Sequence, residues 1–277
     1  MNHLFESWHY PGGEIGVRAK SYQNCLINPT NPFLFRIQNS EDLIKLLMYS
    51  NAIQNKIYQI LIPYLPYARQ DRIATLGDPN AVEVVAKILA TTGVREFLTL
   101  DVHSEKSKIA FLNAGCLLTS ISPVKYIKKY LTNIIRADRP VILISPDNGA
   151  QKKIKEYAEI LNAVDIVYFQ KERDPVTGKL NGLFPKSLPN PKSLPRDVSF
   201  VVIDDICDGG GTFLGIAAVI KEHFPMHALH LWTTHGIYSK GLNELLTVYQ
   251  SIGSTNSFIH NLKHPRLFTL EIEGDFQ

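Results

Sequence analysis

Two adjacent aspartates and three consecutive glycines stand together in residues 200–213, which read FVVIDDICDGGGTF. A run of glycines before a helix can direct several backbone N–H groups at one point, and the helix N-terminus adds its positive dipole end. Two neighbouring carboxylates are costly to dehydrate together, so they need hydrogen-bond donors such as vicinal hydroxyls, or a cation. The stretch therefore indicates a sugar-phosphate site, with an acidic turn and a glycine-rich helix cap as the alternative. The sequence lacks GxxxxGK[ST], which excludes a P-loop.

Apolar runs rich in β-formers alternate with helical patterns along the chain. The predicted strands cover residues 58–63, 96–101, 140–145, 165–169, 200–204, 228–234 and 267–272. Helices are predicted over residues 80–93, 149–161 and 211–224, the first of them with Asn80 and Glu83 as a capping box and Gly93 at its end. Continuous apolar strands separated by helices are typical of parallel sheets that are covered on both faces. The predicted fold class is α/β.

Polar, charged or glycine-rich residues follow six of these strands. They read PYLPYARQDR, VH, PDNG, QKER, DICDGGGT and THG, in chain order. Ligands of open parallel sheets bind beyond the carboxyl ends of the strands. Any one of these segments is typical of an ordinary loop, but six of them together indicate a substrate surface. Residues 174–197 are rich in proline and predict an exposed lid or surface connection.

Composition limits the class of protein. The length of 277 residues fits two α/β domains. The residues are 45% hydrophobic and 20% charged, as in ordinary globular proteins, and no apolar run is long enough to cross a membrane. Cys25, Cys116 and Cys207 are an odd number without CxxC spacing, which argues against a disulfide framework or a zinc site. A net charge of +3 is too small to indicate nucleic-acid binding. A soluble cytoplasmic protein that binds neither membrane nor nucleic acid, and takes anionic small substrates, is predicted.

The motifs resemble those of a known family. VVIDDICDGGGT resembles the phosphoribosyl diphosphate binding motif that type I phosphoribosyltransferases share with ribose-phosphate diphosphokinases, and PYLPYARQDR resembles a diphosphokinase signature that the transferases lack. YPGGEIGV, LDVHSE, SPDNGA, QKER and THGIYS also match in the family's order, so the resemblance runs from about residue 8 to residue 260.

The resemblance implies a reaction and an architecture. Members of the family transfer the diphosphoryl group of ATP to the anomeric hydroxyl of ribose 5-phosphate with Mg²⁺, giving phosphoribosyl diphosphate and AMP. The implied fold has two phosphoribosyltransferase-type domains, each a mainly parallel sheet flanked by helices. Residues 1–139 would form the ATP side and residues 140–277 the ribose 5-phosphate side, with the last strand a candidate for return to the first domain. A homo-oligomer, dimer or hexamer, is also implied.

Matching motif positions assigns a role to each candidate residue. By resemblance, Lys171 and Arg173 belong to the mobile catalytic loop, and His103 and Asp147 serve the metal of the Mg²⁺-triphosphate. The candidate ATP-binding residues are Glu14, Arg69, Gln70 and His103, of which Glu14 reaches adenine across a subunit interface. The candidate ribose 5-phosphate-binding residues are Asp204, Asp205, Asp208, Gly209, Gly210, Gly211 and Thr212.

Two positions depart from the family pattern. Gly12 stands where an acidic or amide residue is usual, and Gly209 stands where a threonine is usual. Two other functions remain open beside the diphosphokinase. A phosphoribosyltransferase would use the same sugar-phosphate loop but would not need PYLPYARQDR or the Lys171 and Arg173 pair. A non-catalytic regulatory relative would bind nucleotide and sugar phosphate after losing the charged residues of the active site, which this chain retains.

Overall fold

The computed structural model describes residues 5–20, 31–54, 57–136, 138–173 and 180–276. The first part of the chain forms β1 (Phe5–His9), β2 (Ile15–Ala19), β3 (Phe33–Leu34), α1 (Ser40–Ala52), β4 (Gln59–Leu61), α2 (Ala81–Ala90), β5 (Glu96–Leu100), α3 (Glu105–Asn113) and β6 (Leu117–Ile121). The second part forms α4 (Val124–Ile134), β7 (Val141–Ser145), α5 (Gln151–Leu161), β8 (Asp165–Arg173), β9 (Leu180–Pro185), β10 (Ser199–Cys207), α6 (Gly211–His223), β11 (Ala228–Gly236), α7 (Asn243–Val248), β12 (Ser251–Thr255) and β13 (Leu267–Leu270). The α/β prediction is confirmed. None of the helices within the described ranges has the length and apolar character needed to span a bilayer.

The first unit is built on a parallel sheet of four strands in the order β3-β4-β5-β6. Its short strands bury residues such as Ile60 and Phe97, neither of which is exposed, against the apolar faces of the helices. The antiparallel hairpin β1–β2 contacts α1, and Phe5 packs on the ring of Tyr49. This packing positions the segments that follow β4 and β5, where the candidate ATP residues lie.

The prediction of a capping box at the start of α2 is wrong, because the side chains of Asn80 and Glu83 bond to each other instead. The Asn80 side chain accepts no hydrogen bond from the backbone of the first turn; its amide nitrogen instead donates to Glu83 Oε1 at 2.8 Å. The helix itself is confirmed, because Val82, Val85 and Leu89 recur at helical spacing and are buried.

The second unit is built on a sheet of seven strands in the order β13-β12-β11-β10-β7-β8-β9. All neighbouring strands are parallel except β8 and β9, which form an antiparallel hairpin. Phe200 and Val202 of β10 belong to the same core cluster as Phe213 and Ile216 of α6. The sheet therefore fixes where β10 ends and α6 begins.

The proline-rich segment, predicted as an exposed loop over residues 174–197, is partly a strand. Leu180–Pro185 pairs with β8, and the partly buried Leu183, Leu188 and Leu194 pack against the second core. The apolar residues between the prolines make these contacts, and Pro185 lies at the end of an edge strand, where a missing N–H is tolerated. Residues 174–179 lie outside the described ranges.

The chain divides between Ser122 and Pro123, whereas the predicted end of the first domain lies near Arg139. Side chains of α4 and the second sheet explain the earlier division. The Tyr130 hydroxyl lies 2.7 Å from Ser251 Oγ, which also hydrogen-bonds to His230 Nδ1 at 2.8 Å. These buried contacts join α4 to β12 and β11, so α4 groups with the second unit.

The last predicted strand pairs in the second sheet, but the residues after it group with the first unit. β13 lies parallel to β12, while the chain from Ile272 onward packs with the first part of the chain. Ile272 is fully buried, and Arg36 donates to Glu273 Oε1 at 2.6 Å. Because Arg36 is itself buried, this ion pair anchors the C-terminal segment.

Acid destabilisation is expected to depend on His230. Burial, followed by the positive charge of Lys221, lowers the pKa of His230 from 6.5 to about 4. Between these two pH values the unfolded chain binds a proton that the folded chain does not bind. Stability therefore falls by about 3 kcal/mol as the pH drops through this window. His230→Asn should flatten this dependence, measured as the free energy of unfolding in urea at several pH values.

His223→Asn is the matched control, because His223 is exposed on α6. It should keep the wild-type slope between pH 6.5 and pH 4. A His230→Asn variant that loses as much stability as the wild type over this window would show that the buried imidazole does not cause the slope.

Candidate active site

The two adjacent aspartates lie within β10 rather than after it. The predicted strand ends at residue 204, but the observed strand runs to Cys207, and Asp204 pairs in register with Thr233 of β11. Backbone pairing with β11 continues the strand through its charged residues, which have no apolar pattern to indicate a strand. Both carboxylates therefore stand on a rigid element near the carboxyl end of the second sheet.

The glycine-rich loop joins β10 to the first turn of α6. Gly210 has φ +81°, a conformation that favours glycine, and α6 begins at Gly211. A Cβ at Gly210 would also meet the Leu245 side chain at 3.3 Å. The amides of Gly211 and Thr212 are in the first turn, where backbone N–H groups have no acceptor within the helix. The loop thus presents donors and the positive helix end to an anion.

The segment after β11 is hydrogen-bonded to the end of β10 and to this loop. The backbone N–H groups of Ile237 and Tyr238 donate to the Cys207 carbonyl at 2.8 and 3.1 Å. Ser239 Oγ donates to Asp208 Oδ1 at 2.5 Å. The sequence motif THGIYS indicated this segment without assigning roles to its residues, and the contact between Ser239 and Asp208 joins residues 31 positions apart. Asp208 is therefore held by Ser239.

Negative charge accumulates around Asp204. Burial raises the pKa of Asp204 well above its usual value, the carboxylates of Asp205 and Asp147 raise it further, and Lys171 opposes the shift. The Asp205 N–H donates to Asp204 Oδ1 at 3.0 Å. Three carboxyl groups and one ammonium are thus close enough to influence one another. A ligand with hydroxyl donors or a divalent cation would relieve this concentration of charge.

Lys171 and Asp147 form an ion pair beside these aspartates. Lys171 Nζ donates to Asp147 Oδ2 at 3.0 Å, and the Lys171 side chain is 16% exposed. The other oxygen of Asp147 accepts from the N–H groups of Gly149 and Ala150 at 2.9 and 3.1 Å, just before α5 begins. Asp147 therefore stabilises the turn that precedes α5 and also holds the candidate catalytic lysine.

The candidate catalytic pair lies in β8 rather than beyond its end. The predicted strand stops at residue 169, but the observed strand extends to Arg173 because β9 pairs with it, Lys171 lying opposite Leu183. The side chain of Arg173 lies outside the described part of the structure, so only its place in β8 is given. Lys171 is thus presented by a two-stranded ribbon at one edge of the sheet.

In the first unit, the candidate ATP residues of the ARQD motif follow β4. Arg69 and Gln70 are exposed, and the Gln70 backbone accepts a hydrogen bond from Val82 at 3.3 Å. The next residue, Asp71, is buried and accepts two hydrogen bonds from Arg72, at 2.7 and 3.2 Å. Burial raises the pKa of Asp71, but Arg72, Ser104 and Lys106 together outweigh it, so the pKa lies below its usual value. The ion pair between Asp71 and Arg72 stabilises this loop, in which Arg69 and Gln70 are exposed.

His103 is also exposed and follows the carboxyl end of β5. Between the strand and His103, buried Asp101 adopts φ +47°, a left-handed conformation that costs a residue with a Cβ about 1 kcal/mol. Glu14 is exposed at the turn between β1 and β2, where its carbonyl accepts from the Tyr10 N–H at 2.8 Å. Both residues therefore have accessible side chains at turns.

Within the described ranges, no cluster of three or more histidine, cysteine, aspartate or glutamate side chains could hold a metal ion by itself. Mg²⁺ commonly binds through one or two carboxylates, several waters and the phosphates of a substrate. The oxygen-rich surroundings of Asp204, Asp205 and Asp147 fit that mode of binding. The second unit thus brings the sugar-phosphate candidates, Asp147 and Lys171 together, and the first unit carries Glu14, Arg69, Gln70 and His103.

Known proteins are similar to this chain in sequence and in fold. Residues 120–262 match the family described as Phosphoribosyl transferase domain. The chain is 30% identical over 211 residues to a ribose-phosphate pyrophosphokinase of Saccharolobus solfataricus, an alignment that covers 74% of this chain and 67% of that protein. A ribose-phosphate pyrophosphokinase of Ureaplasma parvum is 26% identical over 208 residues, 74% of this chain and 59% of the relative.

A solved structure resembles nearly the whole chain. The phosphoribosylpyrophosphate synthetase of Mycobacterium smegmatis superposes with a TM-score of 0.77 at 20% identity, covering 98% of this chain and 86% of the other. At that identity the likeness establishes the fold.

Proposed function

Because this chain belongs to the ribose-phosphate pyrophosphokinase family, we propose that it transfers the diphosphoryl group of ATP to the anomeric hydroxyl of ribose 5-phosphate. The products are phosphoribosyl diphosphate and AMP. The observation that carries the proposal is the arrangement of the second unit. The glycine loop before α6 adjoins the Asp204 and Asp205 pair, and Lys171 is close enough to influence the charge of Asp204.

The substrate sugar fits the two parts of this arrangement. Its 5-phosphate binds the first-turn amides of α6, with Gly209, Gly210 and Thr212 forming the loop around it. Its vicinal hydroxyls donate to Asp204 and Asp205, at a place where burial and the neighbouring carboxylates raise the pKa of Asp204. A sugar phosphate supplies both the anion and the donors that the site needs.

Lys171 acts on the transferring group. In diphosphoryl transfer the anomeric oxygen bonds to the β-phosphorus of ATP as the bond from that phosphorus to the AMP oxygen breaks. The proton of the hydroxyl is lost to water. Charge on the phosphoryl oxygens must be neutralised, and the protein does little covalent chemistry. Lys171 leaves Asp147 to contact these oxygens, and Arg173 supplies a second cation.

The remaining candidate residues concern ATP and its metal. Arg69 offers a guanidinium fork suited to phosphate, and Gln70, His103 and Glu14 contribute to nucleotide binding. Mg²⁺ would supply charge neutralisation on the triphosphate, with His103 and Asp147 as its candidate protein contacts. The chain acts in the cytoplasm. It forms a homo-oligomer, and light scattering after size exclusion would test this oligomeric state.

AMP formation tests the proposal against its alternatives. The purified chain is incubated with Mg²⁺ and ribose 5-phosphate against a panel of nucleoside triphosphates, and AMP or its counterpart is quantified. ATP should give AMP only when ribose 5-phosphate is present. Binding of ribose 5-phosphate without nucleotide turnover would favour the regulatory relative. Release of diphosphate from phosphoribosyl diphosphate and a base, without AMP formation, would favour a phosphoribosyltransferase.

A further inference from the structure

The side chain of Lys240 lies alongside the glycine loop. Its Cε, Cδ and Cγ atoms would be 3.5, 3.6 and 3.8 Å from a Cβ placed on Gly209. These are ordinary van der Waals distances, so the carbon chain of the lysine runs along the face of the loop. The ammonium is one bond beyond Cε and is farther from that Cβ than these three carbon atoms, so it lies past the point where the side chain crosses Gly209.

The position of Lys240 is fixed by the backbone on both sides. Before it, Tyr238 is buried at φ +51°, its N–H donates to the Cys207 carbonyl, and its hydroxyl lies 3.3 Å from Thr233 Oγ1. Ser239 holds Asp208, and after the lysine Gly241 has φ +75° and donates its N–H to the Tyr238 carbonyl. A tight turn bonded to the loop therefore carries Lys240.

The charge of the glycine loop favours a cation at the position of Lys240. Residues 208–212 read DGGGT, with one acidic residue and no basic residue. Ser239 donates to one oxygen of Asp208, and a phosphate at the first turn of α6 would lie near this acidic residue. The first-turn amides and Thr212 bind a doubly charged anion more tightly when an ammonium on the adjacent turn also donates to it.

We propose that Lys240 is a phosphate-binding residue of the site, whose ammonium donates to the 5-phosphate held at the N-terminus of α6. This inference rests on the proposed sugar-phosphate function and extends it. It makes Lys240 a determinant of specificity for phosphorylated over unphosphorylated sugars, because its ammonium has no part in binding the hydroxyls at the carboxylate end.

Calorimetric titration of the full chain with ribose 5-phosphate, in the absence of nucleotide, tests the inference. Lys240→Gln keeps most of the carbon chain and removes the charge. It should raise the Kd for ribose 5-phosphate about tenfold, the effect of losing one exposed charge-assisted hydrogen bond. Lys240→Arg should restore binding to within threefold of wild type. The wild-type Kd should also rise with salt more steeply than that of Lys240→Gln.

Lys129→Gln is the matched control, an exposed lysine on α4 of the same unit. It should leave the Kd within twofold of wild type. In steady-state assays Lys240→Gln should raise the KM for ribose 5-phosphate and leave kcat within twofold. A merely structural role would instead lower kcat or the Tm.

The outcomes separate this inference from the proposed function. If the wild type makes no AMP but binds ribose 5-phosphate, and Lys240→Gln weakens that binding about tenfold, the proposed reaction fails and the role of Lys240 stands. If Lys240→Gln binds within twofold of wild type, or if the wild type binds no ribose 5-phosphate, the role of Lys240 is wrong. Equal weakening of binding to unphosphorylated ribose would also contradict it.

Discussion

Lys171→Ala is expected to lower kcat by about 10²- to 10³-fold, the usual effect of removing one donor that stabilises transition-state charge. Lys171 donates to Asp147 at 3.0 Å and opposes the negative charge around Asp204. Its loss removes a cation from the transferring group and also the ammonium that opposes the raised pKa of Asp204. The KM for ribose 5-phosphate should change less than kcat, because Lys171 acts on the diphosphoryl oxygens. Initial rates of AMP formation at saturating substrates measure the effect.

Lys186→Ala provides the control for this change. Lys186 is exposed just after β9, in the same ribbon, and its ammonium lies 6.0 Å from the Tyr168 ring centre. It should retain kcat within twofold of wild type. A fall of less than threefold in Lys171→Ala would remove Lys171 from the mechanism. Asp147→Asn keeps an oxygen that accepts from the turn before α5 but weakens the hold on Lys171, so it should lower kcat without unfolding the protein.

Asp204→Asn is expected to lower kcat/KM about 10- to 100-fold while the folded protein becomes no less stable. A hydrogen bond to a charged acceptor contributes about 1.5 to 3 kcal/mol, which the sugar hydroxyls would lose. Asparagine still accepts from the Asp205 N–H, and it removes a carboxyl group whose pKa is raised by burial and by neighbouring carboxylates. Relief of this repulsion should raise the Tm, by about 2 to 4 °C for each kcal/mol gained. Kinetics and thermal unfolding together measure both effects.

Asp197→Asn, at an exposed position before β10, should change neither kcat/KM nor the Tm. An Asp204→Asn variant with full activity and a lower Tm would identify Asp204 as a structural residue. Loss of activity with a stable fold would instead place the aspartate among the residues that bind substrate.

Much of the fold could be predicted because its signal is local. The apolar run over residues 140–145 predicts a buried strand, and β7 occupies Val141–Ser145. The three glycines before Thr212 predict a loop with unusual backbone angles, and Gly210 adopts φ +81°. In both cases the residue types restrict the local conformation, so nearby sequence is sufficient.

The remaining features depend on contacts between distant residues. The strands β8 and β10 extend through Lys171 and Asp205 because neighbouring strands supply hydrogen bonds, although polar residues carry no strand signal. The grouping of α4 with the second unit depends on the Tyr130 to Ser251 bond, which spans 121 positions. The place of Lys240 beside Gly209 also follows from folding, because an isolated lysine after a strand is typical of any solvated turn.

Phosphorus NMR of the wild-type chain with ATP, Mg²⁺ and ribose 5-phosphate tests the central claim most directly. The proposed reaction should replace the ATP resonances by those of AMP and of a sugar diphosphate in equal amounts, with the β- and γ-phosphorus atoms still joined. Formation of ADP with a sugar bisphosphate or orthophosphate would show that the bond between those atoms had broken. Either that result or an unchanged spectrum would contradict the account.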